Sequence, residues 1–175
     1  MTTVSALLGD ITEQHVDAVV NAADPSLLGG GGVDGAIHRR GGPEVLAACR
    51  HLRATTLPDG LPRGAAVATT AGRLPATWVI HTVGPTWAAT IDKSDVLASC
   101  YRESLRVADE LGARTVAFPA VSAGAYRWPL DDAARIAVRT VRGTPTDLTE
   151  ARFVLFHERA LAAFRAALAE PPPGS

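Results

Sequence analysis

Four consecutive glycines, Gly29 to Gly32, are followed by Val33 and then by a carboxylate, Asp34. Glycine loses more backbone freedom on folding than any other residue, so a run of four calls for a reason. The apolar run Ala18-Val19-Val20 upstream reads as a short buried strand, and Val33 to Arg39 has a helical pattern. A strand, a glycine loop and a helix start present bare backbone N–H groups and the positive end of a helix dipole. That combination suits an anion, above all a phosphate. A carboxylate in the first helical turn sits awkwardly beside a phosphate. As a structural feature, Asp34 would only complement the helix dipole. As a functional one, it would orient or partly deprotonate a water beside a bound phosphorylated ligand.

Two further stretches carry polar groups at points where strands end. Gly9-Asp10-Ile11-Thr12 follows the strand pattern Val4 to Leu8, with Asp10 as a turn residue and Thr12 as the expected cap of that turn. Ala120-Val121-Ser122-Ala123-Gly124 follows the strand Thr115 to Phe118 and approaches the G-x-S-x-G nucleophile elbow, but Ala120 occupies the first glycine position. A hydroxyl donor to a phosphate oxygen suits Ser122 better.

Taken together, the segment from Gly9 to Gly42 and the stretch Ala120 to Tyr126 resemble the macrodomain family, specifically its MacroD-type branch. The resemblance covers most of the chain. It implies an ADP-ribose ligand. Asp10 and Ile11 would then hold the adenine edge, a carboxylate being a suitable acceptor for an exocyclic amine, and Phe156 would stack on the base. Gly31, Gly32 and Val33 would line one side of the diphosphate, and Ser122, Ala123, Gly124, Ala125 and Tyr126 the other. Asn21 and Asp24 fall at the distal ribose. Where most relatives read Asn-Ala-Ala-Asn, this chain reads Asn21-Ala22-Ala23-Asp24, and an ionised aspartate can accept hydrogen bonds but not donate them.

The activity implied is hydrolysis of mono-ADP-ribose from carboxylate side chains, or deacetylation of O-acetyl-ADP-ribose. Asp34 would be catalytic, with Asp24 and a substrate phosphate assisting, and without metal or cofactor. Its partners would be ADP-ribose, ADP-ribosylated proteins or O-acetyl-ADP-ribose. A reader that binds ADP-ribose without cleaving it needs the cradle but not Asp34, so the intact GGGGVDG favours the enzyme. A phosphohydrolase of an ADP-ribose derivative is the third reading.

The elements that must position these residues follow from pattern. Strands are expected at Val4–Leu8, Ala18–Asn21, Ala65–Thr70, Trp78–Val83, Thr115–Phe118 and Arg152–Phe156, and helices at Pro43–Leu52, Asp95–Leu111, Pro129–Val141 and Glu158–Leu168 besides the one after the glycines. The alternation predicts an α/β fold, a three-layer α/β/α sandwich around a mixed, largely parallel sheet. One domain over residues 1–170 and a disordered tail at 171–175 are expected. His81, inside WVIHTV, reads as a core or edge histidine.

Composition excludes several classes. The formal net charge is −1 and offers no footprint for a nucleic-acid backbone. Lys93 is the single lysine, so no Walker-type P-loop is present. Cys49 and Cys100 lie in helical patterns with no metal-ligand or disulfide spacing, as small buried hydrophobes do. No secretory signal or membrane-spanning run occurs, so a cytoplasmic monomer is expected.

Overall fold

A computed structural model describes residues 1–172. Six strands form one sheet: β1 (Thr3–Leu8), β2 (Ala18–Ala22), β3 (Ala66–Thr70), β4 (Trp78–Thr82), β5 (Thr115–Phe118) and β6 (Glu150–Leu155). Their order is β1-β6-β5-β2-β4-β3, with every pair parallel except β3 against β4. The sheet is therefore mixed and largely parallel. β2 lies inside it between β5 and β4, which explains why its residues are buried on both faces.

The five helices are α1 (Gly32–Gly41), α2 (Pro43–Ala54), α3 (Ser94–Leu111), α4 (Leu130–Gly143) and α5 (Glu158–Ala169). Alternation along β2 divides the core between two faces. Ala18 and Val20 join Leu105 of α3, Val138 of α4 and Phe164 of α5, together with Phe118 and Phe153. Val19 joins Val79 of β4 and Ile37 of α1 on the other face, and Val45 and Cys49 of α2 anchor a third cluster with Val83. Two helices cover one face and three the other, which is the expected three-layer arrangement. No helix among the described residues is long and apolar enough to cross a membrane.

The boundaries differ from the sequence expectation by a few residues, with three consequences for the site. Helix α1 begins at Gly32, so a glycine with φ +57° opens its first turn. Strand β6 ends at Leu155, which leaves Phe156 beyond the hydrogen-bonded ladder and 75% exposed. The short turn Ile11–Glu13 is capped by Asp10, not by Thr12: the Asp10 carboxylate accepts from Thr12 N at 2.8 Å and from Thr12 Oγ1 at 2.6 Å. A carboxylate, having only acceptors, is the better partner for an orphan N–H at such an end. Of the expected tail, residues 173–175 lie outside the described residues.

Candidate functional site

The parallel strands β2, β5 and β6 end on the same edge of the sheet, and a cleft of about 610 Å³ opens there. Its first wall is Ala22 to Asp24 with Gly30 to Asp34, its second is Pro119 to Tyr126, and its third runs from Val154 to Ala160. Of the residues expected from sequence, the cleft brings together Asp24, Gly31, Gly32, Val33, Asp34, Ser122, Ala123, Gly124, Ala125, Tyr126 and Phe156. Asp10, Ile11 and Asn21 are not in its lining. Asp10 is exposed at the end of β1, Ile11 is buried in the core below, and Asn21 lies fully buried in β2.

The first wall is built for an anion. The N-cap Gly31 offers no side-chain capping bond, and nothing lies within 4 Å of where a β-carbon on Gly31 or Gly32 would be. Among the described residues, the N–H groups of Gly31, Gly32 and Val33 have no acceptor, as befits an uncapped helix start. On the second wall, the N–H groups of Gly124 and Ala125 are likewise unused, and Gly124 has open space where a side chain would be.

The second wall is braced from behind. The buried Tyr101 hydroxyl donates to Pro119 O at 3.3 Å and accepts from Val121 N at 3.1 Å, and burial pushes its phenol above the usual range. Trp87 N donates to Tyr126 O at 2.8 Å, Trp87 packs edge-on to Trp128 at 5.1 Å, and Arg63 lies 5.0 Å over the Tyr126 ring. Ser122 differs from the sequence expectation. Its hydroxyl points inward and donates to Pro85 O at 2.7 Å, with the residue at φ +65° and only 5% exposed. A phosphate on this wall would meet backbone N–H groups, not that hydroxyl proton.

Asp34 lines the cleft while only 4% exposed. Its Oδ1 accepts from Asn21 Nδ2 at 2.8 Å, and its Oδ2 from Asp24 N at 3.3 Å. His38, one helical turn on, places Nε2 3.4 Å from Oδ1 without hydrogen-bond geometry. An ionised carboxylate has room for further donors beyond these two. Asp24 uses Oδ2 to accept from Ser26 N at 3.0 Å, an Asx turn that shapes the loop leaving β2.

Behind Asp34 lies a group the sequence reading placed in the core but did not connect to the site. Asn21 Nδ2 also lies 3.1 Å from His81 Nδ1, and His81 Nε2 lies 2.8 Å from Thr69 Oγ1. Burial, with His38 nearby, holds His81 down at about 3, hence neutral. Asn21 Oδ1 is buried with no hydrogen-bond partner among the described residues. Cys49 Sγ sits 3.8 Å from His81 Nε2, and burial raises its thiol to about 11. It is thus an inert core cysteine.

The third wall adds two residues that sequence reasoning missed. His157 caps α5 by accepting Ala160 N at Nδ1, 3.1 Å away, and its ring meets Phe156 edge-on at 5.2 Å. Exposed Arg159 follows in the first turn and lines the cleft. The signal was present in Phe156-His157-Glu158-Arg159, a capping side chain and a cation just past a strand end.

The family model described as Macro domain matches residues 20–137. Over 168 residues the chain is 71% identical to the macro domain-containing protein SCO6450 of Streptomyces coelicolor, covering 96% of this chain and 99% of that one. It is 49% identical to the O-acetyl-ADP-ribose deacetylase of Klebsiella pneumoniae, covering 95% and 96% of the two chains. A variant of the Oceanobacillus iheyensis macrodomain solved with ADPR superposes with a TM-score of 0.91 at 40% identity, covering 95% and 92%. The chain belongs to the Macro domain family.

Proposed function

We propose that the cleft binds ADP-ribose and that the chain hydrolyses an ester at its distal ribose, releasing mono-ADP-ribose from acidic side chains or acetate from O-acetyl-ADP-ribose. The observation that carries this reading is the placement of Asp34. A carboxylate fixed from two sides borders a cradle of unused N–H groups on Gly31, Gly32 and Val33. Those donors, facing Gly124 and Ala125 across the cleft, suit a diphosphate. Exposed Phe156 offers a face for the adenine, and Asp10 lies at the end of the neighbouring strand β1 with one carboxylate oxygen outside its turn bonds.

With the diphosphate so held, the distal ribose falls beside Asp24 and Asp34. Asp34 then orients the attacking water and takes its proton as the water oxygen bonds to the ester carbonyl carbon. The bond from that carbon to the ribose oxygen breaks, the ribose oxygen takes the proton back, and the carboxylic acid departs. A phosphate oxygen of the substrate can share that proton. General-base help of this kind is worth about 10²–10⁴ in rate.

A second reading, binding without turnover, draws on the burial of Asp34 at 4% exposure, which also suits a purely structural carboxylate. One assay separates the two. The protein is incubated with a peptide carrying mono-ADP-ribose on glutamate, and free ADP-ribose is followed. Release supports the hydrolase, whereas tight binding of free ADP-ribose without release supports the reader.

A further inference from the structure

We propose that His81 and Thr69, behind the cleft wall, are positioning residues that hold Asp34 in its working orientation through Asn21. The inference rests on Asp34 being the catalytic carboxylate, and it concerns what keeps that carboxylate in place.

The hydrogen-bond pattern closes in only one way. Asn21 faces two acceptors, Asp34 Oδ1 at 2.8 Å and His81 Nδ1 at 3.1 Å, and its amide nitrogen has one proton for each. Turning the amide over would set its oxygen against the Asp34 carboxylate. The Asn21 oxygen, on its present side, has no partner among the described residues. Nothing there fixes the amide, so apart from Asp34 itself His81 is the group that orients it.

His81 must then accept at Nδ1, so its proton is on Nε2 and points at Thr69 Oγ1, 2.8 Å away. Thr69 passes its own hydroxyl proton to Thr70 O at 3.0 Å, which leaves a lone pair for the imidazole N–H. The hydrogen bonds therefore link β3, β4, β2 and α1, with one tautomer at the histidine. Donation runs outward from Asn21, to His81 and on to Thr69 on one side and to Asp34 on the other. Register makes this possible, because Asn21 and His81 are paired across β2 and β4. Burial and the nearby His38 keep His81 neutral, so the accepting nitrogen stays available.

Three variants and one spectrum test this. Thr69→Val keeps shape and removes the imidazole's acceptor. His81→Leu removes both ring nitrogens, while His81→Asn keeps an acceptor where Nδ1 lies. Single-turnover release of ADP-ribose from the glutamate-linked substrate should fall by about 10-fold or more in Thr69→Val and His81→Leu, since small misplacements of a catalytic group are expensive in rate. His81→Asn should recover part of the loss, and affinity for free ADP-ribose should stay close to wild type throughout. Long-range nitrogen–proton NMR of wild type should show His81 neutral with its proton on Nε2 from about pH 5 to pH 8. A wild type that releases no ADP-ribose overturns the hydrolase reading itself. An active wild type whose rate survives both Thr69→Val and His81→Leu, or in which His81 carries its proton on Nδ1, overturns the positioning role alone.

Discussion

Ser122 donates its hydroxyl to the Pro85 carbonyl, 2.7 Å away, and so ties the second wall of the cleft to the chain leaving β4. The contact is tight enough that Gly84 must be glycine: a β-carbon there would overlap Ser122 Oγ and stand 2.7 Å from Val121 Cγ1. Ser122→Ala should therefore lower stability by about 1 kcal/mol, the net worth of such a bond, with ADP-ribose affinity nearly unchanged. Gly84→Ala should cost about 1–3 kcal/mol by overpacking and also weaken the ligand, because the wall must shift. Urea denaturation and calorimetry on both variants check this. A selective loss of affinity in Ser122→Ala, with stability intact, would return its hydroxyl to the phosphate.

Asp10 has two tasks in this account, and Asp10→Asn separates them. The amide oxygen can still accept from Thr12 N and Oγ1, so the turn and the fold should persist. Its amino group would then face the adenine amine, donor against donor. ADP-ribose binding should weaken by about 1–3 kcal/mol, while ribose 5-phosphate binding should hardly change. Equal weakening of the two ligands in calorimetry would move Asp10 away from the base.

The strand, glycine loop and helix around Asp34 were legible in the sequence because every signal there is local. A short apolar run, four glycines and a helical pattern lie within about twenty residues, and the strand ends follow the same logic. The hydroxyl of Ser122 was not legible. Its direction depends on a positive φ and on a carbonyl 37 residues away. The His81 contact was hidden for a related reason. It depends on which strand lies beside β2, a non-local fact that brings residues 60 apart in sequence to 3.1 Å. Asp10 displaced Thr12 as the cap because its carboxylate reaches both donors of Thr12 at once.

Asp24→Asn should bind ADP-ribose more tightly than wild type. The asparagine oxygen can keep the Asx-turn bond to Ser26 N, so the loop is retained and one negative charge beside the diphosphate is removed. At about 7 Å and an effective dielectric near 20, that repulsion is worth roughly 2 kcal/mol. The gain should be largest at low salt and shrink as ions screen it. Titrations at two ionic strengths decide the matter, and weaker binding by Asp24→Asn would make the carboxylate a favoured ribose acceptor.

The buried neutral His81 gives stability a defined pH dependence. Its folded value, about 3, lies below the ordinary histidine value, so the unfolded chain binds the proton first. The contribution is fully present above about pH 6.5 and is lost as pH falls toward 3, by at most about 1.4 kcal/mol per pH unit. Unfolding free energy by urea should therefore fall less steeply between about pH 6.5 and pH 5 in His81→Asn than in wild type. Parallel slopes would mean that His81 titrates alike in both states.

The central claim is that Asp34 acts on water and not on ligand affinity. Its side chain borders the cradle, yet the unused donors lining the cleft, which in the proposed complex would face the diphosphate, are backbone N–H groups of Gly31, Gly32, Val33, Gly124 and Ala125. The most direct measurement compares wild type with Asp34→Ala, following single-turnover release of ADP-ribose from a glutamate-linked substrate alongside calorimetric binding of free ADP-ribose. The rate should drop by about 10²–10⁴ while affinity stays close to wild type. Equal loss of binding and turnover, or turnover that survives the substitution, would contradict the assignment and leave Asp34 a structural carboxylate.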